Sequence, residues 1–96
     1  MKNIDDIKRI LKEHKKELKE KYNVKKIAIF GSYARSEENK SSDIDILVEF
    51  EEQVGFLFFH LEKYLEKILD LKVDLVTIDV IKPNRAKYIL KDLIYV

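Results

Sequence analysis

Apolar residues recur along the chain in two spacings, one typical of helices and one typical of strands. In residues 3–22 they return every three or four positions, which predicts a helix with a single apolar stripe. Asn3 stands where an N-cap is expected, and Asn23 stands where a left-handed residue would end the helix. The helical spacing returns in residues 54–69, and Pro83 suits the first turn of a last helix.

Three shorter segments have the pattern of strands. Residues 27–30 are a continuous apolar run, which predicts a central strand covered on both faces. After a polar loop over 36–42, apolar and polar side chains alternate in residues 43–50, so that the even positions pack on the core. Residues 72–77 predict a third strand, and residues 94–96 could end the last helix or add a short edge strand.

A short helix starting at Tyr33-Ala34-Arg35 is also expected between the first two strands, so the predicted order of elements is α-β-α-β-α-β-α. This order indicates an α+β (α/β-like) domain, in which helices flank a mixed sheet of three to four strands. A chain of 96 residues suits one compact unit, so a single domain is expected over residues 1–96. The chain has no long apolar run and no signal-peptide pattern, and a cytoplasmic location is expected. The absence of cysteine excludes disulfides and thiolate metal sites.

Charge is unevenly distributed, although the net charge is only +1. Residues 1–26 hold ten Lys or Arg and five Asp or Glu, whereas residues 27–96 hold nine and thirteen. The basic part could face a nucleic acid or an acidic partner. Lys and Glu interleave there, however, and this pattern favours the solvated face of a helix.

Two aspartates on one predicted strand are the first candidates for chemistry. Asp43 and Asp45 are two residues apart, so both carboxylates project from the same face, with Cα atoms roughly 6.5 Å apart. The two carboxylates repel each other unless a hard cation such as Mg²⁺ binds them. Two such ions can clamp the attacking and leaving oxygens of a phosphoryl displacement. An Asp-x-Asp by itself is also common on the polar face of a strand.

Four further residues extend this candidate site. Gly31-Ser32 ends a buried strand, where glycine lets the backbone approach a phosphate and the serine adds a hydroxyl donor. Arg35 follows one turn later and could bind a phosphate through its planar guanidinium. Asp74 stands in an apolar strand, where it is either a buried carboxylate that a metal would stabilise or an exposed residue of an edge strand.

In combination these residues resemble the DNA polymerase beta-like nucleotidyltransferase superfamily. The shared spacing is Gly31-Ser32, ten further residues, and the Asp-Ile-Asp triplet at 43–45. The longer strings Gly-Ser-Tyr-Ala-Arg and Ser-Asp-Ile-Asp-Ile are similar to those of its minimal nucleotidyltransferases (MNT), and the resemblance covers nearly the whole chain. One departure is Ser36, because the family usually has glycine after the arginine.

The resemblance implies specific roles for these residues. Asp43, Asp45 and Asp74 would be catalytic and would bind Mg²⁺, as two ions. Gly31 and Ser32 would hold the nucleotide triphosphate. The implied reaction is transfer of AMP from ATP.

The resemblance also implies a partner. MNT proteins often act as antitoxins, which pair with a HEPN-domain RNase toxin and inactivate it by attaching AMP to a tyrosine. A heteromeric complex with a HEPN protein is therefore expected, with a homodimer as a further option. The alternatives are a non-catalytic antitoxin that neutralises its partner by binding, or a nucleotidyltransferase acting on RNA or a small molecule.

Aromatic and histidine residues outside the motif give weaker signals. Residues 56–59, Phe-Leu-Phe-Phe, are too apolar for one helix stripe. A broad buried face is slightly favoured there over an exposed patch that would indicate a protein interface. His14 and His60 are interpreted as packing residues rather than metal ligands.

Overall fold

Helices and strands alternate along the part of the chain that the computed structural model describes, residues 2–39, 42–78 and 83–96. Lys40 and Ser41, which belong to the predicted polar loop, lie outside the described residues. No described helix combines the length and the apolar character that a membrane crossing requires. The elements in chain order are α1 (Ile4–Glu13), α2 (Lys15–Tyr22), β1 (Val24–Phe30), α3 (Gly31–Ala34), β2 (Ile44–Phe50), α4 (Leu57–Leu69), β3 (Val73–Thr77), α5 (Pro83–Lys91) and β4 (Ile94–Tyr95).

The strands form one mixed sheet in the order β3-β2-β1-β4. β1 runs antiparallel to both β2 and β4, whereas β2 and β3 are parallel. The tail at Ile94–Tyr95 is thus a short edge strand rather than the end of the last helix. The predicted α+β architecture with a mixed sheet of three to four strands is confirmed.

The sheet is covered on both faces, but unequally. One face forms the main core with α1, α2 and α4, and it includes the even positions of β2, as predicted. On the other face, Leu47 is only 3% exposed and packs with Ala28, Phe30 and Ile89 of α5. The odd face of β2 is therefore polar only at its ends, because α5 covers its centre. The main core contains, among others, Ile7, Leu11, Leu18, Ile27, Ile29, Ile44, Ile46, Val48, Leu61, Leu65 and Leu69.

The first predicted helix is divided into two at His14. The capping box at Asn3 begins α1 as expected, and the left-handed Asn23 (φ 56°) ends α2. Between them, the Nδ1 of His14 lies 2.8 Å from the carbonyl oxygen of Ile10, and the ring stacks edge-on against Tyr64. The side chain competes for a carbonyl oxygen of α1, and the helix restarts after it. His14 is therefore a packing residue, as interpreted from the sequence.

The start of α4 contradicts two interpretations from the sequence. Phe56 and Phe59 are 81% and 60% exposed, so the broad buried face that was slightly favoured there is wrong. His60 is also exposed and is not a packing residue. The reason is the helix phase, since Leu61 and Leu65 continue the stripe that meets the sheet and turn the preceding residues towards solvent.

Candidate active site

The candidate site begins where β1 ends. Gly31 follows directly after Phe30 and adopts φ +75°, a backbone conformation that residues other than glycine rarely adopt. A Cβ atom at this position would overlap the carboxylate of Asp45. Glycine is thus required at this position for two reasons. The backbone must adopt a left-handed conformation, and it must also pass directly against an acidic side chain.

The one-turn helix α3 continues from this glycine. The amide of Arg35 donates to the carbonyl oxygen of Gly31 at 3.1 Å, and the amide of Glu37 donates to that of Ser32 at 2.8 Å. Ser36, at the family's glycine position, adopts φ +57°. The departure from the motif therefore keeps the left-handed turn, although a side chain there carries some backbone strain.

Strand register brings two of the predicted carboxylates together. Asp45 of β2 pairs with Phe30 of β1 on one side and with Asp74 of β3 on the other. Residues paired in this way project from the same face, roughly 5 Å apart across neighbouring strands. Like charges at such positions destabilise a sheet, so this arrangement favours a cation between them. Asp43 lies one residue before β2 and is exposed.

The exposure of Asp74 decides between the two interpretations from the sequence. Its side chain is exposed, and β3 is an edge strand. The argument that burial alone would demand a metal was therefore wrong for this residue. Its place beside Asp45 in the register is a separate and stronger reason to connect it with the site, and no local sequence pattern contains that information.

Arg35 is held by two carboxylates. Its Nε donates to Glu37 at 3.1 Å, and its Nη1 donates to Asp92 at 2.9 Å. The Asp92 hydrogen bond and then the Glu37 hydrogen bond raise the pKa of the guanidinium. A phosphate bound by Arg35 would compete with these two partners. Asp92 was missed in the sequence, because it lies near the other end of the chain and belongs to no motif.

Tyr33 is a second residue that the sequence pattern did not single out. Its side chain is 1% exposed and belongs to the main core, so it anchors α3 beneath the candidate site. Burial raises the pKa of its phenol, and the negative charges of Glu38 and Asp43 raise it further. Oε1 of Glu38 is buried without a hydrogen-bond partner within the described part of the chain. An aromatic residue two positions after Gly31 is the signal that could have identified this anchor.

The donor set suits a hard cation. Asp43, Asp45 and Asp74 offer only carboxylate oxygens, which Mg²⁺ prefers, and the backbone of Gly31 passes directly against the carboxylate of Asp45. Over the ranges 2–39, 42–78 and 83–96, no three His, Cys, Asp or Glu side chains converge into a group that could hold a metal. The chemistry of the ligands therefore fits Mg²⁺, and the assignment of these three residues remains a prediction.

Comparison with known proteins agrees with this reading of the motif. The family described as nucleotidyltransferase domain matches residues 11–96. A Methanocaldococcus jannaschii protein, provisionally named a protein adenylyltransferase, is 61% identical over 98 residues, and the match covers 100% of both chains. The protein adenylyltransferase MntA of Thermococcus cleftensis is 47% identical over 97 residues, which cover 100% of this chain and 98% of that one.

Solved structures share the fold. A structure provisionally described as a minimal nucleotidyltransferase has a TM-score of 0.80 at 29% identity and covers 97% of this chain and 95% of its own. A chain from a Shewanella oneidensis structure, described as a tri-AMPylated HEPN toxin in complex with an MNT antitoxin, has a TM-score of 0.60 at 22% identity. That match covers 97% of this chain and 67% of the other, and at this identity it shows the fold alone.

Proposed function

Because the chain belongs to the nucleotidyltransferase domain family and is a nucleotidyltransferase, we propose that it transfers AMP from ATP to a tyrosine of a partner protein. The partner would be a HEPN-domain RNase toxin, and the chain would be the antitoxin that inactivates it. Relatives named protein adenylyltransferase support the acceptor class. A structural neighbour described as an MNT antitoxin bound to an AMPylated HEPN toxin supports the partner.

The observation that carries this proposal is the row of residues across three strands. Phe30 of β1 is paired with Asp45 of β2, which is paired with Asp74 of β3, and Gly31 follows Phe30 at the same end of these strands. We assign Asp43, Asp45 and Asp74 as the catalytic carboxylates that hold two Mg²⁺ ions. When bound, the metal would neutralise the negative charge that builds up on the phosphate oxygens.

The residues of the chain would contribute mainly positioning. Gly31 and Ser32 offer backbone amides and a hydroxyl to the triphosphate, and Arg35 offers a guanidinium after exchanging a carboxylate partner for a phosphate. The tyrosine oxygen of the partner attacks the α-phosphorus and forms a new O–P bond. The bond to pyrophosphate breaks, and the phenol proton passes to solvent. Catalysis of this kind rests on geometry and charge rather than on covalent work by the enzyme.

An exposed aromatic patch supports a protein as the acceptor. Phe58 and the exposed Phe59 border a groove of about 790 Å³ that also touches Val76 of β3, two residues beyond Asp74. The exposed Phe56 lies one residue after Gly55, which also lines this groove. Soluble proteins rarely leave such aromatic surface uncovered unless a partner binds it. Glu51 and Glu52 line the same groove, so a partner segment with apolar and basic side chains fits its charge.

The test combines the chain with Mg²⁺, ATP labelled at the α-phosphate and the HEPN protein. Transfer of label to the partner is expected, and peptide mass analysis should locate the AMP on tyrosine. The double substitution Asp43→Asn with Asp45→Asn should reduce transfer by at least about 10³-fold, because the charge of the phosphates is then no longer balanced. Full transfer by this variant would overturn the proposal.

Two controls make the result specific. Glu49→Gln removes a carboxylate from the same face of β2, four residues from Asp45, and should leave transfer unchanged. Circular dichroism should show that all variants remain folded. If the partner RNase is inhibited equally without ATP, the chain acts by masking and not by AMP transfer. If label appears on RNA or on a small molecule instead of the partner, the acceptor assignment is wrong.

A further inference from the structure

A groove with basic walls opens at the end of β1 that is opposite Gly31. We call it the basic groove and define it by Lys15, Lys19, Lys25, Lys26 and Tyr95, which surround a volume of about 400 Å³. Lys26 and Gly31 are five residues apart on an extended strand, or roughly 17 Å. The groove is thus separate from the candidate active site. Its floor is apolar and consists of Leu18, Val24, Ile27 and Val96.

Most of the positive charge in this groove is not neutralised. Within the described residues, Lys25 is the one lysine of the groove with an ion pair, to Glu49 at 3.6 Å, and both partners are partly exposed. Glu51 is the one acidic residue of the lining. Lys15 and Lys19 are four residues apart on α2, a spacing at which like charges repel.

The other face of the same helix makes an informative contrast. There Lys21 forms an ion pair of 3.1 Å with Glu17, which also accepts a hydrogen bond of 2.8 Å from Tyr64. Helix α2 therefore has a neutralised face that packs towards α4 and an unpaired basic face along the groove. Uncompensated positive charge that lines a concave surface attracts an anion.

Tyr95 indicates what kind of anion would fit. It belongs to the edge strand β4, pairs with Ala28 of β1 and is 54% exposed. Because Ala28 lies on the face of the sheet that α5 covers, the side chain of Tyr95 projects from that face, at the rim of the groove and next to Lys26. Its ring offers a surface on which an unstacked base can lie, and the lysines of the groove can reach the flanking phosphates. An acidic protein segment would use the lysines but would have no need of the exposed ring. A duplex keeps its bases inside the stack and could not place one of them on the ring.

We propose that the basic groove binds single-stranded nucleic acid, with the phosphates on the lysines and one base stacked on Tyr95. This binding does not depend on the proposed transferase function. The probes are fluorescein-labelled oligo(U) and oligo(dT) of about twelve nucleotides, a length suited to a short binding site. Anisotropy titrations against the purified chain should give dissociation constants below about 100 µM at low salt. RNA and DNA arms distinguish the two sources of the same chemistry.

Two substitutions test the two halves of the proposal. Lys15→Glu with Lys19→Glu should weaken binding at least about tenfold and reduce the slope of log K against log salt by roughly 1.4, since two phosphate contacts are lost. Tyr95→Ala should weaken binding by about fivefold to a hundredfold and leave the salt slope unchanged, because stacking carries no charge. Tyr95→Phe should retain the binding.

The matched control is Lys63→Glu with Lys67→Glu. These two lysines are exposed, lie four residues apart on α4 and give the same change in net charge. Binding by this variant should match that of the wild type. If both double-lysine variants lose binding equally, the attraction is due to diffuse charge, and the proposed site is overturned. Full binding by Tyr95→Ala would also overturn it. Equal affinity for a duplex, or no binding of either probe at low salt, would also overturn it.

Discussion

The two ends of β1 carry regions of opposite charge that are built in different ways. At the carboxyl end, backbone geometry shapes the site, because Gly31 turns left-handed against Asp45 and register aligns Asp74. At the amino end, long side chains form the walls of the basic groove around an apolar floor. Placement of carboxylates for phosphoryl transfer must be accurate, whereas lysines that meet a flexible strand need only charge and reach.

The separation of the two ends has a physical consequence. A distance of roughly 17 Å is about twice the Debye length at physiological salt, so the charges of one end are largely screened from the other. The regions should therefore respond independently to substitution.

Among the single substitutions, the largest effect is expected from Gly31→Ala. The added Cβ would meet the carboxylate of Asp45, and alanine is also strained at φ +75°. AMP transfer should fall at least about a hundredfold, with a stability loss of about 1–3 kcal/mol in chemical denaturation. Binding of oligo(U) by the folded variant should be unchanged.

Gly55→Ala is the matched control for this substitution. Gly55 also has a positive φ, +54°, but a Cβ there would meet nothing within 4 Å. It should lose stability and keep AMP transfer. If Gly31→Ala loses no more transfer than Gly55→Ala, the close approach to Asp45 has no role in the site.

An intermediate effect is expected from Mg²⁺ itself. A cation that binds only the folded chain stabilises it by about 1.4 kcal/mol at ten times its dissociation constant, which raises Tm by several degrees. Differential scanning fluorimetry should show this shift for the wild type and for Lys15→Glu with Lys19→Glu. The shift should vanish in Asp43→Asn with Asp45→Asn. Potassium chloride at equal ionic strength is the control, and an equal shift with that salt would argue against a metal at the carboxyl end.

The smallest effect is expected from Ser36→Gly. This change relieves the left-handed backbone strain of a side chain at φ +57°, but glycine also gains freedom in the unfolded chain. Urea unfolding should show a net gain between zero and about 1 kcal/mol, and AMP transfer should be retained. Ala34→Gly, within α3, should lose about 1 kcal/mol instead. A clear loss of stability in Ser36→Gly would mean that the serine side chain has a role of its own.

Much of the fold could be predicted because it depends on near neighbours. The alternation in residues 43–50 predicted β2 and the inward direction of Ile44, Ile46 and Val48. The caps at Asn3 and Asn23 were confirmed, since a cap is a matter of a few adjacent residues. The errors arose where distant segments intervene. The helix predicted over residues 3–22 is divided at His14, whose ring contacts Tyr64. Leu47, on the odd face of β2 that was expected to be polar, is covered by α5.

From the sequence alone, the types and local spacing of Gly31, Asp43 and Asp45 indicated the chemistry that we propose for the candidate site. The three-dimensional fold was needed to show that Asp74 lies beside Asp45, that Asp92 holds Arg35, and that lysines of α2 and β1 line one groove with Tyr95 from β4. The reason is that periodicity and turn preference report interactions within a few residues. Strand register and the packing of separate elements depend on contacts between distant parts of the chain, and no local pattern encodes those contacts.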